Sequence, residues 1–279
     1  MMKHLSLATV TICGLLLIFI TGSFPDWGDP QSPASLHLSN HYIEKTYEET
    51  SVPNIVTAVL GDYRGFDTMF ETTVVFCAGM ACFFLLGNSG GREIKSNVRI
   101  YRHIQTGVVM RFRGDAKDPK ENGAFERIDS DWTPYDMIVS RVAKIMIPFI
   151  QIYGLYVIAH GHHSPGGGFQ GGVILAASFL LFGLSHNLRD MIGRISNKTL
   201  GIMSAVGVLI YAGWGFLAMC YGGNFLDYSA LAGLLGVDPI AARSLGIMIV
   251  EIGVATTVMS TMIIIYNNVA SAGKYDEGL

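Results

Sequence analysis

Six apolar runs recur along this chain, each near the roughly 20 residues that carry a helix across a hydrocarbon core. They are Leu5–Gly22, Phe66–Leu86, Met137–Ala159, Phe169–Ser185, Leu200–Tyr221 and Leu245–Tyr266. A bilayer core offers no water to backbone N–H and C=O groups, so runs of this kind are helices. Of the 279 residues only 15% are charged, and most of those charges lie between the runs. The expected fold class is an all-α integral membrane protein with about six transmembrane helices, two plus four. The first run starts after Lys3 like a signal peptide. It ends in Thr21-Gly22-Ser23-Phe24-Pro25-Asp26 without a small-x-small cleavage site, which favours an uncleaved membrane helix.

The segments between the runs set the organisation. Residues 23–51 are polar and acidic, with Pro25, Pro30 and Pro33 as helix breakers. Ser51-Val52-Pro53 reads as a helix start with Ser51 as N-cap. Ile55–Leu60 is too short to span, so a re-entrant or interfacial segment is expected near 52–60, broken by Gly61-Asp62-Tyr63-Arg64-Gly65. The 87–135 segment carries nine Lys/Arg. Ile94–Phe112 is expected to form a surface helix and Asp115–Asp131 a loop or linker. Three parts follow: 1–90 with two helices, 91–134 as a basic cytoplasmic linker, and 135–279 with four helices. Alternating the six spans places fourteen Lys/Arg on one side and only Lys45, Arg64 and Arg243 on the other. The basic side faces the cytoplasm, so both termini are expected there.

An ionisable group inside a span is costly, which makes it a functional candidate. Asp67 and Glu71 lie one turn apart on one helix face, with Arg64 three residues before Asp67. Arg64 and Asp67 fall at the interface, where capping explains them as well as ion handling does; Glu71 lies about a turn and a half inside. In the third run Arg141, Lys144, Pro148 and Gln151 recur at spacings that define one face. Arg141 can snorkel to the basic side. Lys144 is deeper, and Pro148 removes a backbone donor one turn on. A lysine there can hold a charge that answers a nearby ion. Glu251 lies inside the sixth run and is followed by Thr256, Thr257, Ser260 and Thr261, which can bond to helix carbonyls or to neighbours. His160, His162 and His163 suit a proton relay, because imidazole titrates near neutral pH; a hydrated loop of hydrogen-bonded histidines is the alternative. The ion-pathway candidates are Arg64, Asp67, Glu71, Lys144, His160 and Glu251.

Several classes lack support. There is no phosphate-cradling Gly-rich loop followed by Lys-Ser/Thr, no haem or iron–sulfur spacing and no nucleophile elbow. No catalytic site, resident cofactor, metal site or nucleic-acid contact is expected in this chain. Cys13, Cys77, Cys82 and Cys220 lie in apolar runs without ligand spacing and read as small hydrophobes.

Between the third and fourth runs stands His160-Gly161-His162-His163-Ser164-Pro165-Gly166-Gly167-Gly168-Phe169-Gln170-Gly171-Gly172. Gly166, Gly167, Gly168, Gly171 and Gly172 are expected to serve helix packing, within either a tight turn or a bent, hydrated element. With Met146-Ile147-Pro148-Phe149 and Gly154-Leu155-Tyr156, this stretch resembles the B subunit of Mrp-type multisubunit Na⁺/H⁺ antiporters over residues 135–270. The stretch from Thr50 to Glu71, with Gly61-Asp62-Tyr63-Arg64-Gly65-Phe66-Asp67 at its centre, is similar to the last part of those antiporters' large, A-type chain. Archaeal membrane-bound hydrogenases carry a similar piece as a separate small protein. The chain thus resembles a fusion of the two, departing from the usual pattern in the basic 87–135 segment that joins them. The resemblance implies a non-catalytic subunit of a large complex related to the membrane arm of respiratory complex I. Na⁺ and H⁺ would be the transported ions, Glu71 the ion-pathway carboxylate, and other subunits and the lipid bilayer the partners. The complex would be either a stand-alone antiporter or the ion-pumping part of a hydrogenase, formate-oxidising or sulfur-reducing machine, in a prokaryotic plasma membrane.

Overall fold

A computed structural model describes residues 2–87, 98–113, 124–127, 137–186 and 188–271. The chain divides into two compact units, Met1–Thr46 and Tyr47–Leu279. In the first unit, α1 (Met2–Thr21) carries the apolar stretch Ser6–Thr21. After a turn rich in proline, a π-helical stretch, Ala34–Ser39, leads into α2 (Asn40–Thr50).

The second unit is built around its last helix. Its elements are α3 (Ile55–Ala58), a π-helical turn at Val59–Tyr63, α4 (Gly65–Gly87), α5 (Met137–Ala159), α6 (Gly168–Ser185), α7 (Leu188–Arg194), α8 (Asn197–Cys220), α9 (Ala232–Leu235) and α10 (Pro239–Ala270). Five helices among the described residues are long and apolar enough to cross a membrane: α4, α5, α6, α8 and α10. The sixth expected span corresponds to the shorter Ser6–Thr21. This is a multi-pass integral membrane protein.

Helix α10 packs against α4, α6 and α8. Apolar helices gain little from the hydrophobic effect inside lipid, so close backbone approach and interhelical hydrogen bonds supply the association. Small residues make that approach possible. A methyl added at Gly172 of α6 would lie 2.8 Å from the Ala255 carbonyl oxygen, and one at Gly253 of α10 would lie 2.8 Å from the Gly207 carbonyl oxygen. Ser204 and Thr261 share a 2.7 Å hydrogen bond, and Thr257 donates to the Ser204 carbonyl at 3.1 Å, tying α8 to α10. Two apolar clusters occupy the two ends of α10. One holds Val52, Ala58, Tyr211, Tyr228 and Ile247; the other holds Ala176, Leu188, Met191, Leu200 and Ile263.

Two local expectations are corrected. Ser51 does not cap a helix: it has a positive φ of 55°. The cap is Asn54, whose side chain accepts from the Val56 N–H. A helix over Ile94–Phe112 is not formed by its described part either. β1 (Val98–His103), β2 (Val109–Arg113) and β3 (Phe125–Arg127) make an antiparallel sheet in the order β2-β1-β3. Gly107 takes the left-handed turn position between β1 and β2 at φ 69°. Residues 94–97 lie outside the described residues, and β3 falls within the stretch expected to be a loop.

Candidate functional site

The segment before α4 is irregular backbone, and in a membrane domain its polar groups need partners within the protein. They have them. The Asn54 N–H donates to the His162 carbonyl at 2.9 Å, and Asn54 Nδ2 lies 2.9 Å from the carbonyls of Gly161 and Ser164. Thr57 donates to the Gly161 carbonyl at 2.8 Å. Thr68 donates to the Leu60 carbonyl at 2.8 Å, Tyr228 to that of Gly61 at 3.0 Å, and Tyr211 to that of Gly65 at 2.9 Å. Arg243, near the start of α10, donates to the buried Asp62 carboxylate at 2.8 Å and reaches the Glu49 carbonyl. Three stretches far apart in sequence, 47–64, 160–167 and 222–243, thereby meet at one end of the helix bundle.

Beneath this end lies a cavity of about 220 Å³ bounded by α3, α4, α6, α8 and α10. Its polar lining is Thr57, Thr68, Glu71, Gln170, Tyr211 and Glu251. Two intramembrane carboxylates from different helices therefore share one chamber. Glu71 and Phe169 also line an open groove of about 590 Å³ on the outer face of α4, together with Arg64, Asp67, Phe70, Val74 and Val75. Glu71 thus stands where the groove and the chamber adjoin.

Glu251 is held by the glycine loop. Gly166 and Gly167 have φ of 152° and 121°, conformations open to glycine, and they let the backbone close over the carboxylate. A methyl at Gly167 would lie 2.6 Å from Glu251 Oε1, and one at Gly161 would lie 2.9 Å from Oε2. Gly168, at the α6 N-terminus, packs directly on the Glu251 backbone. Oε2 is buried without a hydrogen-bond partner among the described residues. The packing role expected for the loop glycines is thus joined, at Gly166, Gly167 and Gly168, by a place in the chamber wall.

The other candidates are placed differently. Arg64 and Asp67 pair with each other, with side chains 60% and 46% exposed. Glu71 is also exposed on α4, with no ion-pair partner among the described residues. Lys144 does not meet Glu71: it lies with Arg141 on the exposed side of α5, whose buried positions are Ser140, Ala143, Gly154 and Val157. The shared face expected for Arg141, Lys144, Pro148 and Gln151 exists, but it turns away from the chamber. His160 is exposed and stacks on Tyr156, with centroids 4.3 Å apart. His162 has a buried Nε2 with no hydrogen-bond partner among the described residues; burial, reinforced by neighbouring His163, pulls its imidazole below the ordinary value of 6.5. Sequence reasoning missed Asn54, Thr57, Thr68, Tyr211 and the Asp62–Arg243 pair. Arg243 was the one residue with a signal, as a lone cation beside an apolar run on the acidic side.

Residues 138–264 match the family model described as a domain related to the MnhB subunit of Na⁺/H⁺ antiporter, and residues 29–92 match the model of MbhE, the E component of MBH. A protein of Staphylococcus haemolyticus named as antiporter subunit mnhB2 is 32% identical over 130 residues, which cover 44% of this chain and 92% of that protein. A protein of Rhizobium meliloti named as a probable A/B component of a K(+)/H(+) antiporter is 24% identical over 236 residues. That match covers 82% of this chain, which spans only 22% of the Rhizobium protein. In fold, the chain resembles part of the membrane-bound sulfane sulfur reductase, an archaeal respiratory membrane complex, at a TM-score of 0.56 and 24% identity over 96% of this chain and 98% of that one. It also resembles part of the Mrp complex from Dietzia sp. DQ12-45-1b, at 0.57 and 21% over 99% of this chain and 26% of that one. With a 32% identical relative covered almost end to end and a family model matched across α5 to α10, this chain belongs to the MnhB-related family of antiporter subunits.

Proposed function

We propose that this chain is a non-catalytic membrane subunit of a multisubunit cation/proton antiporter and contributes to its ion-translocation module. The observation that carries the reading is Glu71, an ionisable group on a spanning helix that borders both an open groove and an internal chamber. Its neighbours Arg64 and Asp67 are engaged with each other. A carboxylate so placed is either protonated or accompanied by a cation, and alternation between the two exchanges a proton for Na⁺ or K⁺. Arg64 and Asp67 line the entrance. The exposed apolar face of α5, with Lys144, and the exposed histidine His160 belong to surfaces that neighbouring subunits or lipid cover. The small species this chain handles are the transported ions.

Both termini are assigned to the cytoplasmic side of a prokaryotic plasma membrane. The Lys/Arg distribution supports this, as does the meeting of 47–64, 160–167 and 222–243 at one end of the bundle. The test is reconstitution of the purified complex in liposomes, with and without this chain. Cation-driven proton movement that needs the chain supports the proposal; movement at full rate without it refutes it.

A second reading, an ion-pumping membrane subunit of a redox-driven complex, is favoured by the match of residues 29–92 to the MbhE model. Iron–sulfur or nickel in the purified complex would select it.

A further inference from the structure

We infer that the chamber between Glu71 and Glu251 is a binding site for a monovalent cation of the Na⁺ or K⁺ type, which competes with a proton for Glu251. The inference rests on the reading of this chain as part of an ion-translocating module.

The hydrogen-bond directions carry it. Three hydroxyls line the chamber, those of Thr57, Thr68 and Tyr211. Each has one hydrogen, and each gives it to a backbone carbonyl: Thr57 to Gly161, Thr68 to Leu60 and Tyr211 to Gly65. Thr57 also accepts from Asn54 Nδ2 at 2.9 Å, which leaves it one lone pair; what Thr68 and Tyr211 have left is acceptor lone pairs. Glu71 and Glu251 add carboxylate oxygens, and among the described residues no lysine or arginine lines the chamber. Gln170 supplies the side-chain amide of the lining. Between the apolar walls of Val56, Leu60, Phe169, Val250 and Val254, a few hard oxygen acceptors with no cationic side chain attract a hard cation and repel anions. Its volume leaves room for several waters, so an ion can keep part of its hydration shell.

Glu251 makes the site exchangeable. Gly161 and Gly167 crowd its carboxylate, while Oε2 is buried with no hydrogen-bond partner among the described residues. An ionised carboxylate in that position is costly unless it is neutralised. A proton on the carboxyl or a cation beside it does this equally well in charge, and one excludes the other. The titratable groups in the chamber lining besides Glu251 are Glu71 on α4 and Tyr211 on α8; on the surrounding elements, Asp67 pairs with Arg64, Tyr228 donates to the Gly61 carbonyl, and the loop carries His160, His162 and His163. Asp62 on the π-helical turn is already held by Arg243. Entry is through Glu71, which the groove and the chamber share.

The test uses the purified complex and N,N′-dicyclohexylcarbodiimide, which reacts with protonated carboxyl groups in apolar surroundings. Labelling of the Glu251 peptide is read by mass spectrometry at fixed pH in choline, Na⁺ or K⁺ at equal ionic strength. Glu251→Gln fixes the assignment of the labelled residue. The expected result is labelling in choline that falls about tenfold at a cation concentration ten times its dissociation constant, and whichever of Na⁺ and K⁺ protects is the ligand. No labelling in choline, or equal labelling in all three salts, overturns the inference. A complex that shows cation protection but moves no protons in liposomes contradicts the proposed function and leaves the site standing. Ion exchange without protection contradicts the site alone.

Discussion

Replacing Gly172 by alanine adds a single methyl at the α6–α10 contact, and the structure says what that methyl meets. It would lie 2.8 Å from the Ala255 carbonyl oxygen and 3.1 Å from both Ala255 Cα and Val258 Cβ. Ordinary contact begins near 3.4 Å, so relief requires a shift of about 0.6 Å. Two of the three obstacles are backbone atoms of a regular helix, which cannot yield one at a time. The helices must separate along the contact, and a gap of about 0.5–1 Å forfeits roughly a quarter to a half of each affected dispersion contact. Overpacking of a tight core costs about 1–3 kcal/mol, and a backbone obstacle puts this variant in the upper part of that range. For a unit of this size the cost corresponds to a fall of about 4–10 °C in Tm. The assay is thermal unfolding of the purified chain or complex in detergent, followed by intrinsic fluorescence. Gly213→Ala is the control: it lies within α8 with nothing within 4 Å of the added methyl. Its expected effect is zero to a gain of about 1 kcal/mol, from helix propensity alone. Equal midpoints for Gly172→Ala and Gly213→Ala would refute the reasoning that close backbone approach holds α6 on α10.

Three further outcomes are expected. Arg243→Gln alone leaves the Asp62 carboxylate buried without its partner, a loss of about 3–5 kcal/mol; Asp62→Asn with Arg243→Gln should recover much of it, and a double variant no more stable than the single one counts against the pair. The folded-state pKa of His162 lies below its unfolded value of 6.5, so its contribution to loop stability is fully present above pH 6.5 and is lost as pH falls through the folded value. Hydrogen exchange at residues 160–168, corrected for intrinsic rates, should therefore accelerate on acidification, and His162→Gln should flatten that dependence; an unchanged profile in the variant removes His162 as the cause. With Cys13, Cys77, Cys82 and Cys220 replaced, Asn224→Cys should react with an impermeant thiol reagent from outside and Lys198→Cys should not, and the reverse pattern would invert the topology.

The helices were legible because lipid leaves an apolar run few alternatives: Met137–Ala159 is read from the sequence and found in the structure with the same bounds. Glu71 and Glu251 were legible for the converse reason, since a carboxylate in such a run is expensive. That they share a chamber was not. The chamber depends on contacts such as Tyr211 to Gly65 and Thr57 to Gly161, pairs separated by 146 and 104 residues. Threonine, tyrosine and asparagine are ordinary in helices and turns, so nothing local marks Thr57, Thr68, Tyr211 or Asn54. Lys144 shows the opposite limit. Its depth in α5 was readable, but the side of the helix it occupies is decided by which positions pack on α6. The β1–β2 hairpin was missed because arginines between apolar residues fit both a surface helix and a half-exposed strand, and only pairing decides between them.

The most direct measurement is cation-driven proton movement by liposomes containing the assembled complex with Glu71→Gln in this chain. The substitution keeps the side chain's shape and removes its charge where the groove meets the chamber. Assembly should be normal, with every subunit present at the wild-type ratio, while proton movement driven by Na⁺ or K⁺ falls at least about tenfold. Wild-type rates in a fully assembled Glu71→Gln complex would contradict the claim and make Glu71 a structural residue.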